Sequence, residues 1–269
     1  LYGGGSTGGL INIVTKKGQP ETMMEFEAGT KSGFSSSKDH DERIAGAVSG
    51  GNEHISGRLS VAYQKFGGWF GGNGDAPLLD NTQTGLQYSD RLDIMGTGTL
   101  NIDESRQLQL ITQYYKSQGD DDYGLNLGKG FSAIRGTSTP FVSNGLNSDR
   151  IPGTERHLIS LQYSDSAFLG QERVGQVYYR DESLRFPPFP TVNANKQVTA
   201  FSSSQQDTDQ YGMKLTLNSK PMDGWQITWG LDADHERFTS NQMFFDLAQA
   251  SASGGQQQED LHHRALSVV

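Results

Sequence analysis

Between Tyr211 and Asp234 apolar and polar residues trade places with little interruption. Tyr211, Met213, Leu215 and Leu217 alternate with Gly212, Lys214, Thr216 and Asn218. After the turn KPMDG, Trp225, Ile227, Trp229, Leu231 and Ala233 alternate with Gln226, Thr228, Asp232 and Asp234. A period of two marks a β-strand with one apolar and one polar face. The same period recurs upstream in Met24, Phe26 and Ala28 against Glu25 and Glu27, and in the weaker segment of Ile44 and Val48. It returns in Ile55, Leu59, Val61 and Tyr63 against Ser56, Arg58, Ser60 and Gln64, and around Leu92, Ile94, Leu100 and Ile102. Leu108, Leu110, Thr112 and Tyr114, then His157, Ile159, Leu161 and Tyr163, then Val177 and Tyr179 complete nine candidate strands.

The connections between these strands alternate in length, long after the first and short after the second, and so on to the ninth. Successive connections of an antiparallel sheet fall on opposite rims, and outer-membrane barrels keep short periplasmic turns and long extracellular loops. That rule places residues near 31–42, 66–90, 118–156 and 182–207 outside the cell. The fold class is therefore all-β, a partial transmembrane antiparallel barrel. Trp225 with Phe238, Tyr63 with Phe66 and Tyr114 with Tyr115 lie near strand ends, where aromatic girdles meet the two interfaces. Strand alternation alone also suits a soluble all-β binding domain.

Composition favours the barrel. With 34 glycines in 269 residues and only 33% hydrophobic residues, the chain is poor in the apolar side chains that fill a two-layer core. A barrel needs them on one face of each strand. A net charge of −9 argues against a nucleic-acid partner. No apolar run approaches the ~18 residues of a membrane helix. No cysteine is present, which excludes internal disulfides and thiol nucleophiles.

The chain opens on LYGGGSTGGLINIVTKK, glycines running into a β-branched strand. Gly3, Gly5 and Gly8 match a dinucleotide fingerprint by letter, but that fingerprint needs a strand before the glycines and a helix after them. Here the order is loop and then strand. His235-Glu236 lacks the second histidine of a zinc motif, and Asp120-Asp121-Asp122 lacks the spacing of a calcium loop. No catalytic or metal-ligating residue is assigned, and no cofactor is expected.

This opening resembles the end of the plug domain of TonB-dependent outer-membrane siderophore receptors, where a tyrosine- and glycine-rich turn precedes a strand like GGLINIVTKK. The segments GQPETMMEFEAGTKSGF and DDDYGLNLGKGFSAIRG extend the resemblance, which runs to about Gly255. It implies that residues 1–18 end a plug and residues 19–255 begin a barrel of roughly 22 strands closed around that plug. It further implies uptake of a ferric siderophore, energised by the TonB complex, in the outer membrane and among its lipids. A diffusion porin of the same barrel class is the alternative, disfavoured by the plug-like opening. Iron would stay on its chelator, so no iron ligands are expected.

A ferric hydroxamate-citrate chelate, the ligand class the resemblance implies, is anionic and rich in oxygen, and arginine forks suit carboxylates. Trp69, Phe70, Tyr123, Phe131, Arg135, Arg185 and Phe186 on the long loops are the candidate ligand contacts. The tail departs from the pattern. In GGQQQEDLHHRALSVV only Leu266 to Val269 is an apolar run, short of the ~9–11 alternating residues of a membrane strand. Residues 256–269 are accordingly expected to form no returning strand and to be out-of-frame sequence, with a naturally divergent loop as the alternative.

Overall fold

The structure is a computed structural model that describes residues 16–74, 87–119, 152–186, 194, 198–222 and 224–246. Within these, and additionally at 123–124, 141–142, 189–192 and 256–268, the backbone pairing of the strands is defined. Nine long strands follow one another in the sheet: β1 (Met23–Lys31), β2 (Asp41–Gly51), β3 (Ile55–Phe66), β4 (Ser89–Asn101), β5 (Arg106–Gly119), β8 (Gly153–Phe168), β9 (Gln171–Arg185), β11 (Val198–Ser219) and β12 (Ile227–Asp246). Two short strands, β6 (Tyr123–Gly124) and β7 (Phe141–Val142), pair with each other, and β10 (Phe189–Val192) pairs with β11. Every neighbouring pair is antiparallel. The nine strands match those expected from the alternation one for one.

Register joins the apolar positions into a single surface. Leu110 pairs with Leu161, Leu161 with Val177, and Val177 with Met213. One row nearer the short turns, Leu100, Leu108, Tyr163, Gly175, Leu215 and Leu231 follow in the same way. These side chains are uncovered: Phe26 is 78% exposed, Val177 52% and Trp229 52%. Among the described residues the buried hydrophobics are Phe66, Tyr88 and Leu217. A monomeric soluble protein rarely exposes so continuous an apolar surface. Lipid is the solvent this face requires, and the sheet is part of a transmembrane β-barrel. No helix among the described residues is long and apolar enough to cross a membrane.

The opposite face is polar. Gln109 pairs with Gln162, Gln162 with Gln176 and Gln176 with Lys214, while Glu27, Arg43, Arg58, Arg91, Asp93 and Arg156 occupy the same side of their strands. Water-filled or plugged lumens of outer-membrane barrels are lined this way.

Short turns close by local hydrogen bonding. The Asn52 Oδ1 accepts the backbone N–H groups of His54 and Ile55, both at 2.9 Å. Asp103 does the same for Ser105 and Arg106 at 2.9 and 2.8 Å, and its other oxygen takes the Arg106 Nε at 2.6 Å. Between β8 and β9, Leu169 and Gly170 both have positive φ, 52° and 75°, the geometry of a two-residue hairpin that follows the strand twist.

Three expectations change. Strands run further toward the long-loop rim than the apolar pattern shows: 153–156, 182–185 and 198–207 are strand, not loop. Backbone pairing continues there without sustained apolar alternation, because the period-two signal needs lipid and the ladder does not. The aromatic girdles also regroup. Phe66 pairs with Ser89, Tyr115 with Arg156, and Phe238 with Thr208, all on the polar face. The outward belt near the long loops is instead Tyr63, Tyr114, Tyr179 and Tyr211, with the His157 and His235 rings 4.8 and 5.0 Å from Tyr114 and Tyr211. Near the short turns it is Tyr163, Trp225 and Trp229. Finally, residues 256–268 do form a strand, β13, antiparallel to β12. An unpaired edge offers its N–H and C=O groups to any non-proline backbone, so edge pairing does not require an alternating sequence.

Candidate functional site

The long-loop rim carries the expected ligand residues in separate groups. After β3 the chain turns under hydrogen bonds from Gly67 N–H to the Asp41 Oδ1 at 3.2 Å and from Gly68 N–H to the Lys38 carbonyl at 2.8 Å. Gly68 leaves room for the Tyr88 side chain: a Cβ there would come within 2.2 Å of the Tyr88 hydroxyl, and the ring would have to shift. Trp69 follows, 47% exposed, its N–H donating to the Gln87 Oε1 at 3.1 Å, and Phe70 is half-buried beside Gly68. A cleft of about 410 Å³ lies between these turns, with Lys38, His40 and Lys65 on its walls.

Arg185 ends β9 and Phe186 follows it, with β4, β5 and β8 lying between them and the strand that leads to Trp69. Both are half-buried; the Phe186 N–H donates to the Ser204 carbonyl at 2.9 Å, and the Arg185 Nε is buried without an acceptor among the described residues. Tyr123 lies in β6, its backbone paired with Val142. Phe131 and Arg135 fall outside the described residues. The structure therefore puts Trp69, Phe70, Arg185 and Phe186 on one rim, in two clusters.

Sequence reasoning missed a second feature on the polar face. A cleft of about 560 Å³ runs along β1 to β5, with Glu25, Glu27, Arg43, Arg58, Arg91, Asp93 and Tyr115 around it. Its charges are mostly matched. Arg58 makes a two-pronged contact with Glu25, 2.6 Å from Nη2 to Oε2 and 3.3 Å from Nη1 to Oε1. Arg43 meets Glu27 at 2.9 Å, Lys16 reaches Glu25 at 3.4 Å, and the Gln113 amide donates to Asp93 at 3.0 Å. Further along the same wall Arg156 pairs with Glu182. Arg91 differs. Its guanidinium carbon lies 5.3 Å from the Phe66 ring centroid and 5.8 Å from that of Tyr115, and its buried Nε has no acceptor among the described residues. The alternation marked these residues as polar-facing, but only cross-strand register shows which cations are already paired.

At the short-turn rim, the Arg106 guanidinium beside Asp103 holds that carboxyl well below the usual carboxylate range, helped by the Ser105 N–H and hydroxyl. This cluster closes a turn, and its donors are used within it.

No family model matches the chain. Over 255 residues, 95% of its length, it is 98% identical to the ferric aerobactin receptor of Klebsiella pneumoniae and 98% identical to that of Escherichia coli. It is 39% identical over 258 residues to the rhizobactin receptor of Rhizobium meliloti (strain 1021). The chain spans about a third, 35%, of the length of each of these relatives. Among solved structures, the copper transporter OprC superposes on 93% of the chain with a TM-score of 0.55 at 13% identity, a likeness of fold that again takes in 35% of that protein. Strand order, a lipid-facing apolar surface and near-identity along almost the whole sequence agree: the chain is a β-barrel segment that is similar, over 95% of its length, to about a third of two ferric aerobactin receptors.

Proposed function

We propose that this chain is part of a receptor that imports a ferric siderophore of the aerobactin type across the outer membrane, energised by the TonB complex. One observation carries the reading: 98% identity over 255 residues to two ferric aerobactin receptors. Under it the long-loop rim captures the chelate, with Trp69, Phe70, Tyr123, Phe131 and Phe186 offering aromatic surface and Arg135 and Arg185 offering guanidinium donors to its carboxylates. The polar wall then lines the route inward, and iron travels on its chelator without protein ligands. The same reading assigns residues 1–18 to the end of an internal plug, 19–255 to the barrel and 256–269 to sequence outside the receptor pattern.

The test uses a complete receptor containing this stretch, expressed in cells that lack their own uptake system, and follows radioactive iron supplied as ferric aerobactin. Uptake that stops on loss of TonB or on uncoupling is the expected result. Uptake indifferent to both would indicate a diffusion pore, and absence of binding and uptake would remove the reading.

A further inference from the structure

We infer that Arg91, on the inner wall below the long loops, is a carboxylate-binding residue for the ferric chelate. The inference rests on the siderophore reading above and adds a site to it that the loops do not contain.

The argument begins with the pairing of charges along the cleft. Glu25 takes Arg58 and Lys16, Glu27 takes Arg43, and Asp93 takes the amide of Gln113. Arg91, in the same row as Gln64 and Arg43, has no carboxylate within ion-pair distance among the described residues. A guanidinium presents five donors and stays charged at any physiological pH, so leaving it half-buried without an acceptor is costly unless something fills the gap. The rings of Phe66 and Tyr115, at 5.3 and 5.8 Å, offset part of that cost by cation–π attraction and restrict its motion. Phe66 is only 7% exposed, so one side of this arrangement is fixed by the fold. The result is a preorganised cation with free donors, on the wall of a cleft of about 560 Å³ that has space for a ligand group. Arg156 on the same wall does not compete for the role, because Glu182 already occupies it.

The complementary chemistry is a carboxylate, which accepts two parallel hydrogen bonds from a guanidinium edge. It could belong to the chelate or to another segment of the complete receptor. The chelate is the source favoured by the position of Arg91 two residues from the long-loop end of β4.

The experiment compares wild type, Arg91→Gln and Arg91→Lys in the complete receptor, measuring binding of ferric aerobactin and of the same chelate with its free carboxylates esterified. Arg91→Gln should weaken binding of the free-acid chelate about 10- to 100-fold, the size of one charge-assisted contact. It should leave the esterified chelate unchanged, and Arg91→Lys should recover part of the loss. Equal loss for both chelates, joined by a lower unfolding temperature, would assign Arg91 to a carboxylate of the protein and overturn the inference. Unchanged affinity for both would also overturn it. If wild type binds neither chelate, the siderophore reading itself has failed, a result distinct from either.

Discussion

Leu161 and Gln162 are consecutive residues of β8, yet they belong to different solvents. Leu161 continues a row through Leu110, Val177 and Met213 that is exposed and apolar from strand to strand. Gln162 continues a row through Gln109, Gln176 and Lys214. The two rows share one backbone ladder, so the difference comes from side-chain direction alone. A single layer of sheet has no second layer to cover its apolar face, and lipid takes that place. The polar face is then free to carry charges that pair across strands and not within a core. Register is strongly specified under these conditions, since a slip of one residue would turn every apolar side chain into the lumen.

The largest test of this contrast substitutes the two neighbours alike in a complete receptor. Leu161→Arg places a cation near the middle of the lipid-facing band, where it should cost about 2–4 kcal/mol and lower the yield of folded barrel. Gln162→Arg should shift stability by no more than about 0.5 kcal/mol, as expected of a solvated position. Denaturant unfolding in lipid vesicles reads both, and equal costs would break the contrast.

A smaller effect is expected at the short-turn rim, where the exposed Asp103 acts through Arg106, Ser105 and the turn backbone. Its folded-state acidity is increased, so its contribution to stability is present above the unfolded carboxylate range of about 3.9 and is lost as pH falls through the lower folded value. The stability gap between wild type and Asp103→Asn should therefore stay constant from about pH 8 to 5 and narrow below about 4. A gap that instead opens on acidification would contradict the role given to the carboxylate.

Much of the architecture was legible in the sequence because a lipid-facing strand must alternate, and Trp225 to Ala233 or Ile159 to Tyr163 display that alternation directly. Legibility ended where lipid ended. The extensions at 182–185 and 198–207 pair as strands without a sustained apolar period, and β13 pairs through its backbone against β12. Phe238 read as a girdle residue from its distance to Trp225, but thirteen is an odd separation and puts the two on opposite faces; its partner is Thr208. The candidate site was less legible. Trp69 and Arg185 could be chosen by residue type and loop length, whereas Arg91 stands out only when the partners of Arg43 and Arg58 are known, and these come from neighbouring strands.

The central claim, that one sheet separates lipid from lumen residue by residue, is tested most directly by spin labels at Leu161→Cys and Gln162→Cys in a complete receptor in lipid vesicles. Collision with oxygen, which partitions into the bilayer, should dominate at position 161, and collision with a water-soluble nickel chelate at position 162. The same preference at both positions, or the reverse order, would contradict the account.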